Sequence, residues 1–129
     1  MDFTIQRDDM LRLIGRVKGI PPKTANMPVL SHLRLTVSGE ELILTATDLD
    51  LILRVKGTAQ VFDSGDIAVP AEPLFRIIRN APDEQVSFEE KDRHRLKIAC
   101  GSAKFEILGL SGEDFPSFPE LTFDKRFSV

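Results

Sequence analysis

The sequence predicts an α+β domain built from two copies of one unit, each consisting of a strand, a helix and three antiparallel strands. The first observation is an internal repeat: shifted by 64 positions, apolar residues of 3–17 fall on apolar residues of 67–81. The second is that a shift of 54 positions does the same for 42–53 and 96–107. Because one such unit cannot bury its apolar face alone, we expect both helices to pack on one face of antiparallel sheets.

The composition is typical of a single globular domain. The chain has 129 residues, of which 42% are hydrophobic and 29% charged, so it is neither disordered nor membrane-embedded. No apolar run approaches the roughly 20 residues that cross a bilayer, and the N-terminus lacks the basic and apolar regions of a secretory signal. A single cysteine, Cys100, cannot form an internal disulfide. These features favour a cytoplasmic protein with no membrane partner.

The first unit begins with a strand at 2–6, where polar and apolar residues alternate. A helix follows, since Asp8 and Asp9 suit a first turn and Gly19 suits a C-terminus. Its apolar stripe has helical spacing and consists of Met10, Leu13, Ile14 and Val17.

An irregular loop from Gly19 to Ser31 then leads into three strands of the first unit. Alternating residues on either side of Ser38-Gly39 predict a hairpin, and the same alternation predicts a third strand over 49–55. Residues 61–65 are interpreted as a crossover to the second unit.

The second unit repeats this order. A strand at 66–69 precedes a helix that starts at Pro70-Ala71-Glu72-Pro73, because proline fits the first turn of a helix, and that continues to about Asn80. Its apolar stripe is Leu74, Ile77, Ile78 and Ala81. The three strands that follow are expected at 86–89, 95–99 and 103–108.

The face of each helix opposite its apolar stripe carries arginine. Arg12 and Arg16 lie four residues apart in the first helix, and Arg76 and Arg79 lie three apart in the second, so each pair shares a face. Acidic residues gather mostly in strands and turns, which makes the helix side basic although the net charge is −3. Such a face suits sequence-independent contact with phosphates; the alternative is that the arginines are only solvated.

Four segments of the chain form a combination that is typical of one family. They are Lys23–His32 (KTANMPVLSH), Leu44–Asp50 (LTATDLD), Val69-Pro70-Ala71 and Asp114-Phe115-Pro116. In these segments the chain resembles the bacterial sliding clamp, the beta subunit of DNA polymerase III. Chains of that family have three domains of this size, so the resemblance implies that 1–124 form the first domain. Residues 125–129 would begin the second, and their Phe-Ser-Val is similar to the Phe-Thr-Ile of the first strand.

The resemblance implies a non-catalytic processivity factor without cofactors. Two full-length subunits would join head to tail in a ring that encircles duplex DNA, without sequence specificity, and tethers the replicative polymerase. DNA polymerase III and the clamp loader would bind the full-length protein. The residues facing DNA would be Arg12, Arg16, Lys23, Arg76 and Arg79. Two departures from the family affect this surface. Glu72 stands where the family has a basic residue. In the loop, position 24 is threonine, so Lys23 is the basic residue nearest to the position of the family's DNA-contacting arginine.

The resemblance also implies that the last strand of this domain contacts the other subunit. Phe105 and Ile107 would supply the apolar contact, while Arg95 and Lys104 would form ion pairs. An edge strand can pair across subunits, and a closed head-to-tail contact makes a ring. The alternative is that the two apolar residues belong to the core of this domain.

A second hypothesis is a small enzyme or ligand-binding domain that uses Asp48, Asp50 and His32. No third carboxylate follows at the spacing of a calcium loop, so a turn-capping role for Asp48 is favoured and no metal site is predicted. His32 and His94 show no ligand spacing, and Cys100 is interpreted as a small buried residue rather than a nucleophile.

Overall fold

The computed structural model describes residues 1–21, 31–48 and 50–115. The elements are β1 (Asp2–Gln6), α1 (Arg7–Val17), β2 (His32–Ser38), β3 (Glu41–Thr47), β4 (Ile52–Thr58), β5 (Gln60–Asp63), β6 (Gly65–Pro70), α2 (Ala71–Arg79), β7 (Gln85–Lys91), β8 (Arg95–Cys100), β9 (Ala103–Leu108) and β10 (Leu110–Ser111). The predicted fold class is confirmed, because these residues form two α-helices and two antiparallel five-stranded sheets. The predicted loop residue Lys23 and the predicted strand at 125–129 lie outside the described residues.

The two units exchange their first strands. One sheet has the order β5-β1-β7-β8-β9 and the other β10-β6-β2-β3-β4. Strand β1 of the first unit therefore pairs with β7 of the second, with Phe3 opposite Phe88. In the same way β6 pairs with β2, with Ile67 opposite Leu35. Each sheet contains strands of both units, so neither sequence unit corresponds to one sheet.

Each unit also ends in a strand that the sequence did not indicate. The interpretation of 61–65 as a crossover alone is wrong, since Gln60–Asp63 forms β5 and pairs with β1. Its counterpart β10 pairs with β6 in the other sheet. These strands have four and two residues, too short to show an alternating pattern.

The pairing register corrects the predicted alignment of β4 with β9. Val55 lies opposite Leu44, and Phe105 lies opposite Ile98, the residue that matches Leu44 at the shift of 54. Val55 thus corresponds to Phe105, a separation of 50 positions rather than 54. Leu51, which the sequence aligned with Phe105, lies before β4 and is 60% exposed.

A longer turn in the first unit causes this difference. Residues 48–51 connect β3 to β4, whereas two residues connect β8 to β9. The Oδ1 atom of Asp48 accepts hydrogen bonds from the backbone N–H groups of Asp50 (2.9 Å) and Leu51 (2.8 Å). The turn-capping role predicted for Asp48 is therefore confirmed.

The sheets and helices share one apolar core. The stripe of α1 is buried as predicted, at Met10, Leu13, Ile14 and Val17. The predicted stripe of the second helix is buried at Leu74, Ile78 and Ala81, which lies two residues beyond α2, whereas Ile77 is only partly buried. Across the exchanged strands the rings of Phe3 and Phe88 stack, with centroids 4.6 Å apart. The helices are thus fixed to the domain through their apolar faces, which leaves their opposite faces outward.

Two glycines are expected to respond to alanine in opposite directions. A Cβ at Gly15, in the interior of α1, meets nothing within 4 Å, so Gly15→Ala should raise the free energy of unfolding by about 1 kcal/mol. A Cβ at Gly109 would lie 2.7 Å from the backbone oxygen of Ala68 and 3.1 Å from that of His94. Gly109→Ala should therefore lower the free energy of unfolding by about 1–3 kcal/mol. Urea denaturation checks both values, and equal effects would contradict the described contacts.

Candidate nucleic-acid interface

The two helices lie side by side and antiparallel. Arg7, at the start of α1, donates from Nε to the carbonyl oxygen of Ile78 (3.3 Å) and from Nη2 to that of Arg79 (3.0 Å), at the end of α2. At the other end of α1, the C-cap residue Lys18 has its Nζ atom 4.0 Å from the centroid of the Phe75 ring in α2. These contacts join the helices into one outward-facing layer.

This layer brings together the four helix arginines predicted from the sequence. Arg12, Arg16, Arg76 and Arg79 are all exposed. Because both helices bury their apolar stripes in the shared core, the arginines project from the side of the domain that carries the helices. We call the exposed residues Arg12, Arg16, Lys18, Arg76 and Arg79 the helix-face cations.

Most helix-face cations are not neutralised by a neighbouring carboxylate. Arg12 forms an ion pair with Asp9 (2.7 Å), but both side chains are largely exposed, and such pairs contribute at most about 1 kcal/mol. The other four form no ion pair with any residue in the described parts of the chain. Their charge is therefore available to an anionic partner.

Several basic residues of the sheets, by contrast, are paired within the domain. Arg34 contacts both carboxylate oxygens of Asp66, and hydrogen bonding to this carboxylate raises the pKa of the Arg34 guanidinium above its ordinary value. The Nζ atom of the exposed residue Lys91 lies 3.1 Å from a carboxylate oxygen of Glu89. The sheets thus carry charges of both signs, and the helix layer is the more one-sidedly basic surface.

The residues predicted for a ring contact are divided between the core and the surface. Strand β9 is the edge of its sheet, with no further strand beside it in the described chain. Ile107 is buried in the core of this domain, as the alternative interpretation has it, and Phe105 is partly buried against the same core. Lys104 is exposed, and Arg95 lies 3.4 Å from Glu106.

The sequence reasoning missed one exposed apolar residue on this edge. Leu108 is 69% exposed and pairs in register with Arg95. The alternation of side chains in β9 could have indicated this exposure, because Leu108 faces outward if its neighbour Ile107 faces inward. The apolar surface on this edge therefore consists of Leu108 and the exposed part of the Phe105 side chain.

Two of the three residues of the enzyme hypothesis, Asp48 and His32, have structural partners, and the Nδ1 atom of His32 lies 3.4 Å from the hydroxyl oxygen of Ser31. Asp48 caps its turn, and no three side chains of His, Cys, Asp or Glu lie together as a metal site within 1–21, 31–48 and 50–115. His94 contacts Glu90 (3.2 Å). Cys100 is buried, as predicted, and its Sγ accepts a hydrogen bond from the N–H of Asp83 (3.2 Å).

A second omission of the sequence reasoning concerns Phe75. Its ring contacts the ammonium group of Lys18 and also lies 5.6 Å from the guanidinium carbon of Arg79. The contact with Arg79 follows from the four-residue spacing within α2. The contact with Lys18 joins two helices, so no local pattern in the sequence could have indicated it.

Comparison with protein families agrees with this arrangement. The family model described as "DNA polymerase III beta subunit, N-terminal domain" matches residues 1–119. The chain belongs to this family. The beta sliding clamp of Chlamydia muridarum is 31% identical over 129 residues, and that of Caulobacter vibrioides is 33% identical over 132 residues. The chain spans about a third of the length of these relatives, 35% in both cases.

Solved structures of the family share the fold. The DNA polymerase sliding clamp from Caulobacter crescentus superposes with a TM-score of 0.87 and 35% identity, covering 92% of this chain and 32% of that one. The DNA polymerase III subunit beta from Pseudomonas aeruginosa gives a TM-score of 0.88 and 32% identity, covering 93% and 33%. The identification of a sliding-clamp domain from its motifs is thus confirmed.

Two further observations bear on family features. Glu72, where the resemblance implies a basic residue, is exposed in the first turn of α2, where the helix dipole favours a negative charge. Neither described helix is long and apolar enough to cross a membrane.

Proposed function

We propose that this chain is the first domain of a ring-shaped processivity factor in DNA replication. The ring encircles duplex DNA, slides along it and tethers the replicative polymerase. The observation that carries the proposal is the antiparallel helix pair with its helix-face cations, in a domain that belongs to the family of DNA polymerase III beta subunits. The proposed roles are contact with DNA phosphates for Arg12, Arg16, Arg76 and Arg79, and also for Lys23 of the loop.

The chemistry of these residues fits sequence-independent binding. Arginine and lysine on an exposed helix face contact phosphate oxygens, which are the same at every base pair. Each contact releases counterions and contributes modestly, so the protein exchanges one phosphate for the next while the ring slides. Encirclement, rather than tight binding, keeps such a protein on DNA.

We further propose how this domain fits into the ring. Residues 1–124 would form the first of three domains, with the second beginning at 125–129, since the relatives are about three times as long as this chain. The free edge of β9 would pair head to tail with a second subunit, with Arg95 and Lys104 in ion pairs. The exposed part of the Phe105 side chain would contact the second subunit, whereas Ile107, which is buried in the core, would hold β9 in place.

The remaining partners follow from the same proposal. The full-length protein would bind DNA polymerase III and a clamp loader in the cytoplasm. No cofactor or metal takes part, because tethering requires no chemical step.

Encirclement makes a topological prediction for the full-length protein. After loading, it should stay on a covalently closed circular duplex far longer than on the same duplex cut once, because a ring leaves linear DNA at its ends. Gel filtration of protein–DNA complexes before and after a single restriction cut measures this difference. A variant with Arg95 and Lys104 replaced by glutamate, which weakens the proposed ring contact, serves as the comparison. Equal retention of the unaltered protein on cut and uncut DNA would contradict encirclement.

A further inference from the structure

We propose that Lys18 is a further phosphate-contacting residue, and that Phe75 is a positioning residue that holds Lys18 and Arg79 towards the DNA backbone. This inference rests on the proposed function, since it requires the helix layer to face a duplex. It adds an aromatic support, shared by two helices, to a surface otherwise defined by charge.

Lys18 is held in position by contacts of its backbone N–H and of its side-chain ammonium group. Its backbone N–H donates to the carbonyl oxygen of Ile14 (2.8 Å) and so closes the last turn of α1. Its Nζ lies 4.0 Å from the centroid of the Phe75 ring, which is itself partly buried against the core. The flexible stem of this lysine therefore spans from one helix to the other.

The ring holds the cation without neutralising it. A carboxylate partner, such as Asp9 for Arg12, competes with phosphate for the same charge. An aromatic face attracts an ammonium group through its quadrupole and is not a strong hydrogen-bond acceptor, which leaves the three N–H donors of Lys18 available. Within the described residues, neither Lys18 nor Arg79 forms an ion pair.

Two cations that share one ring point to an anionic partner. Arg79 approaches the same ring at 5.6 Å, so one aromatic side chain contacts positive charges from both helices. Both groups keep their positive charge, because an aromatic ring is not a counter-ion, and phosphate oxygens accept charge-assisted hydrogen bonds from such groups. Holding a lysine in place also reduces the side-chain entropy that it loses on binding.

The test uses the full-length protein and a short duplex, with the dissociation constant measured by fluorescence anisotropy over a range of salt concentrations. Lys18→Ala should reduce the slope of log K against log salt by about 0.9 and weaken binding about eightfold at 0.1 M salt. Phe75→Leu, which keeps an apolar side chain, should weaken binding about two- to fivefold. Lys18→Arg and Phe75→Tyr, which keep the cation and the ring, should restore nearly full affinity.

Lys97→Ala provides the matched control, because Lys97 faces away from the core on β8, between the buried residues Leu96 and Ile98. Its removal should leave the slope unchanged. A positioning role also requires that Phe75→Leu has no further effect on affinity once Lys18 and Arg79 are both alanine. A purely structural role for Phe75 would weaken binding equally in that background, and this result would overturn the inference.

The outcomes separate this inference from the proposed function. If Lys18→Ala leaves affinity and slope unchanged while reversal of the helix arginines weakens binding, the inference about Lys18 fails and the proposed function stands. If neither change affects DNA binding, the helix layer does not face the duplex and both fail.

Discussion

Replacement of Arg12, Arg16, Arg76 and Arg79 by glutamate is expected to weaken duplex binding by at least about 3.6 orders of magnitude at 0.1 M salt. Each phosphate contact contributes about 0.9 to the slope of log K against log salt, so the loss of four contacts should reduce that slope by about 3.6. The four side chains are exposed and project from one helix layer, so the substitutions change its charge without removing buried groups. Titration of the full-length variant with duplex DNA at several salt concentrations measures both quantities.

A reversal of equal size on the sheets is the control. Lys56, Lys91, Arg93 and Lys97 lie on sheet strands or their connections, and replacing all four by glutamate gives the same change in net charge. This control should lose much less affinity, because distant charges act only through a screened field. If both variants lost the same affinity, net charge rather than the helix layer would govern DNA binding.

The second large effect is expected in the core, where Phe3→Ala should lower the free energy of unfolding by about 3–5 kcal/mol. Phe3 is fully buried, and its ring stacks on Phe88 at an interplanar angle of 7°. The substitution leaves a cavity between strands of two different units and also removes the aromatic pair. A domain of this size is stable by only about 5–15 kcal/mol, so the loss is a large fraction of the total. Chemical denaturation followed by far-UV circular dichroism gives the value.

Thr4 on the same strand supplies the comparison. It faces the other side of the sheet, where its hydroxyl lies 3.5 Å from that of Ser87 on the surface. Thr4→Ala should change the free energy of unfolding by no more than about 0.5 kcal/mol. Losses of similar size for the two variants would mean that the stacked pair does not hold the exchanged strands together.

Local patterns predicted the helices well and the strand pairing poorly. The spacing of Met10, Leu13, Ile14 and Val17 identified the buried face of α1 because helical periodicity depends only on nearby residues. The exchange of first strands was not predictable in this way. Phe3 and Ile5 of β1 are as apolar as Ile67 and Val69 of β6, so the sequence does not indicate which sheet each strand joins.

The same limit applies to the candidate site. The helix arginines could be placed because each lies opposite a clear apolar stripe. Leu51 was misplaced because alternation continues into a turn whose conformation is set by Asp48. The contact of Lys18 with Phe75 depends on the packing of two helices more than 50 residues apart, which no local pattern contains.

The exchange of first strands has a consequence for synthesis on the ribosome. Strand β1 emerges first, but its neighbours β5 and β7 follow only after about 55 and 80 residues more. At 5–20 residues per second, β1 waits roughly 4–16 s for β7. During that interval the backbone N–H and C=O groups on one edge of β1 lack the hydrogen-bond partners that β7 provides. The sheet that contains β1 is therefore completed only after the strands of the second unit have left the exit tunnel.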